Sequence, residues 1–152
     1  MRTVIEEDLY MWRCAENFFM KVLIEQEWFI SVETSRPRWK FQDWDVKLTT
    51  DDWITTFEVK YDILSDRTGN IAIEIECYWK PGWIYASKAN YIVYFAYNEW
   101  RYQDRIELIK KLDTIEKELI RWWDNNQSIF YLIKKENVMK IFKKFDFNQK
   151  IG

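Results

Sequence analysis

Asp45 is followed by twelve residues and then by Glu58-Val59-Lys60, a set of side chains suited to divalent-cation chemistry. If the segment around Glu58 is a strand, alternation sends Glu58 and Lys60 to one side and Val59 to the other, into a hydrophobic interior. Two carboxylates and one amine then converge. Carboxylate oxygens are what a hard cation such as Mg2+ takes as ligands, and a nearby ammonium can orient a water or offset charge developing on phosphate. The chemistry suggested is phosphodiester hydrolysis. Ordinary half-exposed strands also read Glu-Val-Lys with an acid upstream, so the weight of the pattern rests on the elements around it.

Composition narrows the alternatives. At 152 residues and 48% hydrophobic content the chain is long and apolar enough for one domain with a substantial core. Ten Trp and an aromatic content of 19% make wide planar side chains the main core material, with a surplus available for stacking on bases. The net charge of −2, from 23 basic and 25 acidic residues, is not the footprint of bulk electrostatic binding to nucleic acid. From Lys134 to Gly152, however, six lysines face two acids, which gives either a local basic rim or a solvated helix face. There is no histidine, and Cys14 and Cys77 lack metal-ligand spacing. A zinc site, a His-dependent triad and a His-metal nuclease are therefore excluded, leaving carboxylates and lysines to do any acid-base work. The N-terminus is acidic and amphipathic, and no eighteen-residue apolar run occurs. A soluble, cytoplasmic protein with reduced thiols and no membrane partner is expected.

The elements that must position these residues follow from periodicity. Ile5, Leu9, Trp12, Phe19 and Leu23 recur at helical spacing and predict a first helix over about Ile5 to Glu27. Glu16 lies within that stripe, where a carboxylate needs a cation, hydrogen bonds or a route to solvent. After a Pro-containing turn at Arg36 to Arg38, strands are predicted at Asp45–Leu48, Ile54–Tyr61, Ile71–Cys77 and Tyr91–Tyr97. Arg67-Thr68-Gly69-Asn70 supplies turn chemistry, so the second and third of these are expected to form a hairpin or meander. That pairing would set Glu74 and Glu76 beside Glu58, Lys60 and Asp62, and such crowding favours a bound cation or neutralisation. Leu108, Leu112, Ile115, Leu119 and Trp122 predict a helix over Gln103 to Asp124, packed on its own sheet or on a second copy in a homodimer. A strand at Ile129–Ile133 and a basic helix at Val138–Phe145 complete the chain. No internal repeat, low-complexity tract or long linker is present.

Taken in order, Asp45, Glu58-Val59-Lys60, Asp62, Thr68-Gly69-Asn70, Glu74, Glu76, Lys80-Pro81 and Ala89-x-Tyr91 resemble the PD-(D/E)XK, restriction-endonuclease-like nuclease superfamily, and most of all its small phage-type members. The resemblance covers roughly residues 10 to 97. It implies that Asp45 and Glu58 ligate Mg2+, for which Mn2+ can substitute, that the Val59 carbonyl supplies a third oxygen, that Lys60 positions the attacking water, and that Glu16 is an auxiliary acid. The chain also departs from the pattern. Trp44 stands in place of the motif's proline, Trp83 where relatives tend to have Gly, and Asn90 where they tend to have Asp. The last two changes put the substrate path and the helix-strand junction in question.

The reading that results is an α/β domain over residues 1–152, with a central mixed sheet flanked by helices, acting as a Mg2+-dependent nuclease on DNA. Three other readings compete with it: a Holliday-junction resolvase working as a dimer, a catalytically silent nuclease fold used as a protein-interaction module, and a nucleic-acid-binding domain without chemistry.

Overall fold

The computed structural model describes residues 15–23, 31–34, 44–122 and 127–145. Residues 15–23 are helical (α1). They are followed by β1 (Ser31–Thr34), β2 (Val46–Thr49), β3 (Ile54–Lys60), α2 (Ile63–Thr68), β4 (Asn70–Cys77), β5 (Lys80–Pro81), α3 (Trp83–Ala86), β6 (Tyr91–Ala96), β7 (Glu99–Asp104), α4 (Arg105–Leu112), β8 (Glu118–Trp122), β9 (Ser128–Lys134), α5 (Lys135–Met139) and β10 (Lys143–Lys144). The rest of the expected first helix and the turn at Arg36 to Arg38 lie outside the described residues.

Six strands form a mixed sheet in the order β1-β2-β3-β6-β7-β10, in which β3 and β6 run parallel and the other pairs antiparallel. Strand alternation divides its side chains between two cores. On one face Val46, Leu48, Phe57, Val59 and Val93 pack with Ala15, Phe19 and Leu23 of α1. Phe19 is fully buried, with its ring 5.2 Å from Phe57 and 5.0 Å from Trp100; burying a side chain of this kind contributes about 1.5–3 kcal/mol. On the other face Ile92, Tyr94 and Ala96 meet Ile71, Ile73 and Ile133 of a second sheet, together with Ile84, Leu108, Leu112 and Val138 from the helices. The second sheet is antiparallel, ordered β5-β4-β9-β8. The expected α/β class with a central mixed sheet is what the molecule shows; the second sheet was not foreseen.

Three expected elements are corrected. β3 and β4 do not form a hairpin, because they belong to different sheets. Asp62 N-caps α2, its side chain accepting from the Ser65 N–H, and Gly69 ends that helix in the left-handed conformation at φ 73°. The Thr68-Gly69-Asn70 turn thus stops a helix and carries the chain to the other sheet. Among the described residues, the helix expected over Gln103 to Asp124 is confined to α4, and residues 123 and 124 lie outside them. Gln103 and Asp104 still belong to β7, Asp104 caps α4 by accepting from the Glu107 N–H, and the chain beyond Leu112 turns into β8, where Leu119 is 56% exposed. Of the expected seam, Leu108 and Leu112 lie in the core and Ile115 packs against it. The basic helix expected from Val138 to Phe145 is α5, ending at Met139, after which β10 pairs with β7. Lys135 is also not on a solvated face, being 5% exposed. Strand β9 spans the stretch expected at Ile129–Ile133.

Candidate active site

The site forms just before β2 begins, against the last residues of β3. The Asp45 N–H bonds to the Phe57 carbonyl at 2.8 Å, while an Asp45 carboxylate oxygen accepts the Val59 N–H at 2.8 Å. The side chain thereby takes the place that a continuing strand backbone would fill, which ends the ladder and fixes the carboxylate beside Glu58. Glu58 and Lys60 pair in register with Ile92 and Tyr94 of β6 and share their face of the sheet, while Val59 is buried on the other. The alternation expected for Glu58, Val59 and Lys60 therefore holds.

Glu58 is held from two sides. Lys60 Nζ lies 3.0 Å from one of its carboxylate oxygens, and the Ser87 hydroxyl donates to the other at 3.2 Å. The Ser87 oxygen in turn accepts the Ala89 N–H at 3.1 Å, so the loop between α3 and β6 orients the acid. The Lys60 ammonium sits 4.5 Å from the centre of the Trp83 ring, a cation–π distance. Trp83 and Ser87 are partners that spacing along the chain did not single out. Both come from one short segment, α3 and its C-cap, brought over β3 by Gly82. A Cβ on Gly82 would stand 2.2 Å from the Glu74 carbonyl oxygen, so no larger residue fits there without backbone movement. Asn90, the other departure from the resemblance, has a structural use: its side-chain oxygen accepts the Thr56 N–H at 2.9 Å and the Thr56 hydroxyl at 3.0 Å, joining β3 to the start of β6.

Electrostatics tie the acids together. The Asp45 carboxyl is pushed up to about 7, first by desolvation on burial and then by the charge of Glu58; Lys60 pulls it down, Glu16 pushes it up, and the Val59 N–H pulls it down. Helix α1 thus brings Glu16, half-buried beside the buried Ala15, within electrostatic range of Asp45. Glu74 is also raised, by desolvation against the opposing pull of Lys60. It borders the site from the second sheet, although β4 does not pair with β3. A β-bulge between Glu74 and Glu76 interrupts the alternation of β4, so the row of acids expected along one face is broken.

Among the described residues no three Asp, Glu, His or Cys side chains gather as a ready-made cation cage. What converges is two carboxylates, Asp45 and Glu58, with one lysine and a hydroxyl. Such a pair can offer oxygens to a hard cation that keeps part of its water shell, and Lys60 can act on a water or a phosphate oxygen beside it.

No protein-family model matches the chain, and no curated protein sequence does. A solved structure of a nuclease from a fusselovirus matches with a TM-score of 0.51 at 10% identity, over 95% of this chain and 89% of that one. The likeness is one of fold, and the fold is nuclease-like. Among the described residues no helix is long and apolar enough to cross a membrane.

Proposed function

We propose that this chain is a Mg2+-dependent nuclease of the PD-(D/E)XK type that hydrolyses phosphodiester bonds, with DNA as its substrate. The observation that carries the reading is the convergence of Asp45, Glu58 and Lys60 at the end of β3, with Lys60 3.0 Å from Glu58 and Asp45 raised to about 7, inside a fold shared with a viral nuclease. A carboxylate so raised by burial and by like charge is one that a bound cation would relieve. Mg2+ takes one or two protein carboxylates and completes its shell with waters and substrate phosphate, and the donor set here fits that habit.

Asp45 and Glu58 would hold the cation, with the Val59 carbonyl as a third oxygen. When bound, the ion supplies Lewis-acid stabilisation of charge at phosphorus and on the departing oxygen. The Val59 N–H fixes one oxygen of Asp45, and Ser87 fixes one of Glu58, so both carboxylates are oriented beforehand. Lys60, steadied by the Trp83 ring, orients the attacking water or neutralises a phosphate oxygen. Glu16 adds negative charge near Asp45 and tunes the affinity of the pair for a cation. The acid-acid-lysine set is intact, which disfavours the silent interaction module. The resolvase variant uses the same chemistry and differs in substrate and in acting as a dimer.

The test is a metal titration coupled to cleavage of supercoiled, linear, branched and single-stranded DNA. Cleavage in Mg2+ or Mn2+ but not in Ca2+ is expected, and preference for a four-way branch would select the resolvase variant. No cleavage of any substrate with either metal would overturn the reading.

A further inference from the structure

Two hairpins of the fold turn through two residues each: Tyr78-Trp79 joins β4 to β5, with φ of 49° and 63°, and Tyr97-Asn98 joins β6 to β7, with φ of 53° and 58°. Positive φ at both central residues is what the tight type I′ turn demands, and Asn or Gly meets the demand best. A bulky aromatic residue held there is strained, and strain of this kind persists where the surroundings or a function require it. For Tyr97 the surroundings suffice. Its ring receives the Lys135 ammonium at 4.8 Å and the Arg101 guanidinium at 5.7 Å. Trp79 is different, because at 77% exposure it is the most exposed of the large hydrophobic side chains described. Packing within the fold does not account for an indole at a position that a glycine would occupy more easily.

The position of the turn suggests an occupant. The hairpin is anchored at the candidate site: the Gly82 N–H bonds to the Ile75 carbonyl at 2.9 Å, Gly82 abuts the Glu74 backbone, and the next residue, Trp83, faces Lys60. Its tip lies beyond these contacts, where the Tyr78 N–H bonds to the Gln127 carbonyl at 3.1 Å. The hairpin carries Glu74 and Glu76 on β4 against Lys80 on β5, with Lys88 exposed on the loop after α3. That mixed charge does not suit a surface that follows phosphates by electrostatics. A wide, exposed π face is suited instead to the flat face of a base, which stacks without regard to sequence.

We propose that the Tyr78-Trp79 tip is a nucleobase-stacking site, at which the Trp79 indole engages an unpaired base of the same nucleic acid whose phosphate is presented to Asp45, Glu58 and Lys60. This rests on the nuclease reading and adds to it a preference for substrates with a single-stranded or branched segment. The test uses oligonucleotides carrying 2-aminopurine in a single-stranded stretch or in a full duplex, bound in Ca2+ so that no strand is cut. The wild-type protein quenches the single-stranded probe more than the duplex probe. Trp79→Ala loses the quenching and weakens single-strand binding by about tenfold, while Trp79→Phe keeps most of both. The double variant Tyr78→Asn/Trp79→Gly loses the quenching and melts at a higher temperature, because the turn is relieved of strain. Unchanged quenching and affinity in Trp79→Ala would overturn the stacking site, as would a lower melting temperature for the Asn-Gly turn, or a change of oligomeric state in Trp79→Ala, which would mark the tip as a contact between copies. Plasmid cleavage in Mg2+ is followed in parallel: cleavage with unaltered quenching removes the stacking site alone, whereas no cleavage and no binding removes the nuclease reading with it.

Discussion

Two lysines of this molecule stand between a carboxylate and an aromatic ring. Lys60 lies 3.0 Å from Glu58 and 4.5 Å from the Trp83 ring; Lys135 is ion-paired with Asp66 and lies 4.8 Å from the Tyr97 ring. The two differ in what surrounds the carboxylate. Glu58 is only 11% exposed at its side chain and has Asp45 for a neighbour, whereas Asp66 is 58% exposed. Around Lys60, then, negative charge is concentrated away from water and invites a further cation. Around Lys135 the ion-paired carboxylate is solvated, and the other acid in range, Asp62, is raised by desolvation but accepts backbone N–H groups as the cap of α2. Lys135 also donates its backbone N–H to the Gly69 carbonyl at 2.9 Å, so it clamps the end of α2 to the start of α5. A lysine, an acid and a ring do not by themselves make a cation site; a second acid close enough to be raised by the charge of the first, as Asp45 is by Glu58 and Asp62 is not by Asp66, distinguishes one arrangement from the other.

Replacing each lysine is expected to have opposite consequences. Lys60→Ala is expected to cut DNA cleavage by about 10²–10⁴-fold, the usual range for a positioned proton-handling group, while the protein stays folded in Mg2+. Lys135→Ala is expected to cost about 2 kcal/mol of stability, as for a charge-assisted hydrogen bond, and to leave cleavage near wild type below its melting temperature. Plasmid nicking and denaturant titration on the same two proteins decide the matter. A Lys135 variant that is stable but inactive would exchange the two roles.

A graded effect of pH separates the two clusters as well. The folded-state value of Asp45 is raised from 3.8 to about 7, so between those values the native state binds more protons than the unfolded chain, and stability falls as pH rises. Without divalent cation the slope approaches at most about 1.4 kcal/mol per pH unit. Asp45→Asn should flatten it, and Mg2+ should offset it in the wild type alone. Melting curves from pH 4 to 8 check this, and an unchanged slope in Asp45→Asn would show that other groups govern it.

Much of the candidate site was legible because it is local. Asp45 immediately precedes β2, Glu58 and Lys60 lie on the adjacent β3, and strand alternation alone predicts that Val59 turns inward. Ser87 was not legible and Trp83 stood out only as a departure from the resemblance, since both reach Glu58 and Lys60 from a separate segment whose approach depends on the close packing of Gly82 on β4. The second sheet was hidden for the same reason: β4 pairs with β9, joining Asn70 to Lys134, and no local pattern encodes a partner so distant. The long helix expected over Gln103 to Asp124 fails where apolar residues four and three apart run on into a strand, as Leu119 does. Asp104 and Glu107 carried a helix-start signal three residues apart, and this was the local sign that the helix begins only after Gln103. The Thr68-Gly69-Asn70 turn reads equally well as a helix stop or a hairpin, and the N-cap at Asp62 decides for the first.

If Asp45 and Glu58 form one cation site, calorimetric titration of Mg2+ into the protein will show it. The wild type is expected to bind one Mg2+ in the millimolar range or tighter, and Asp45→Ala to lose that binding while remaining folded. No heat of binding at millimolar Mg2+ in the wild type, or the same isotherm in both proteins, would contradict the account.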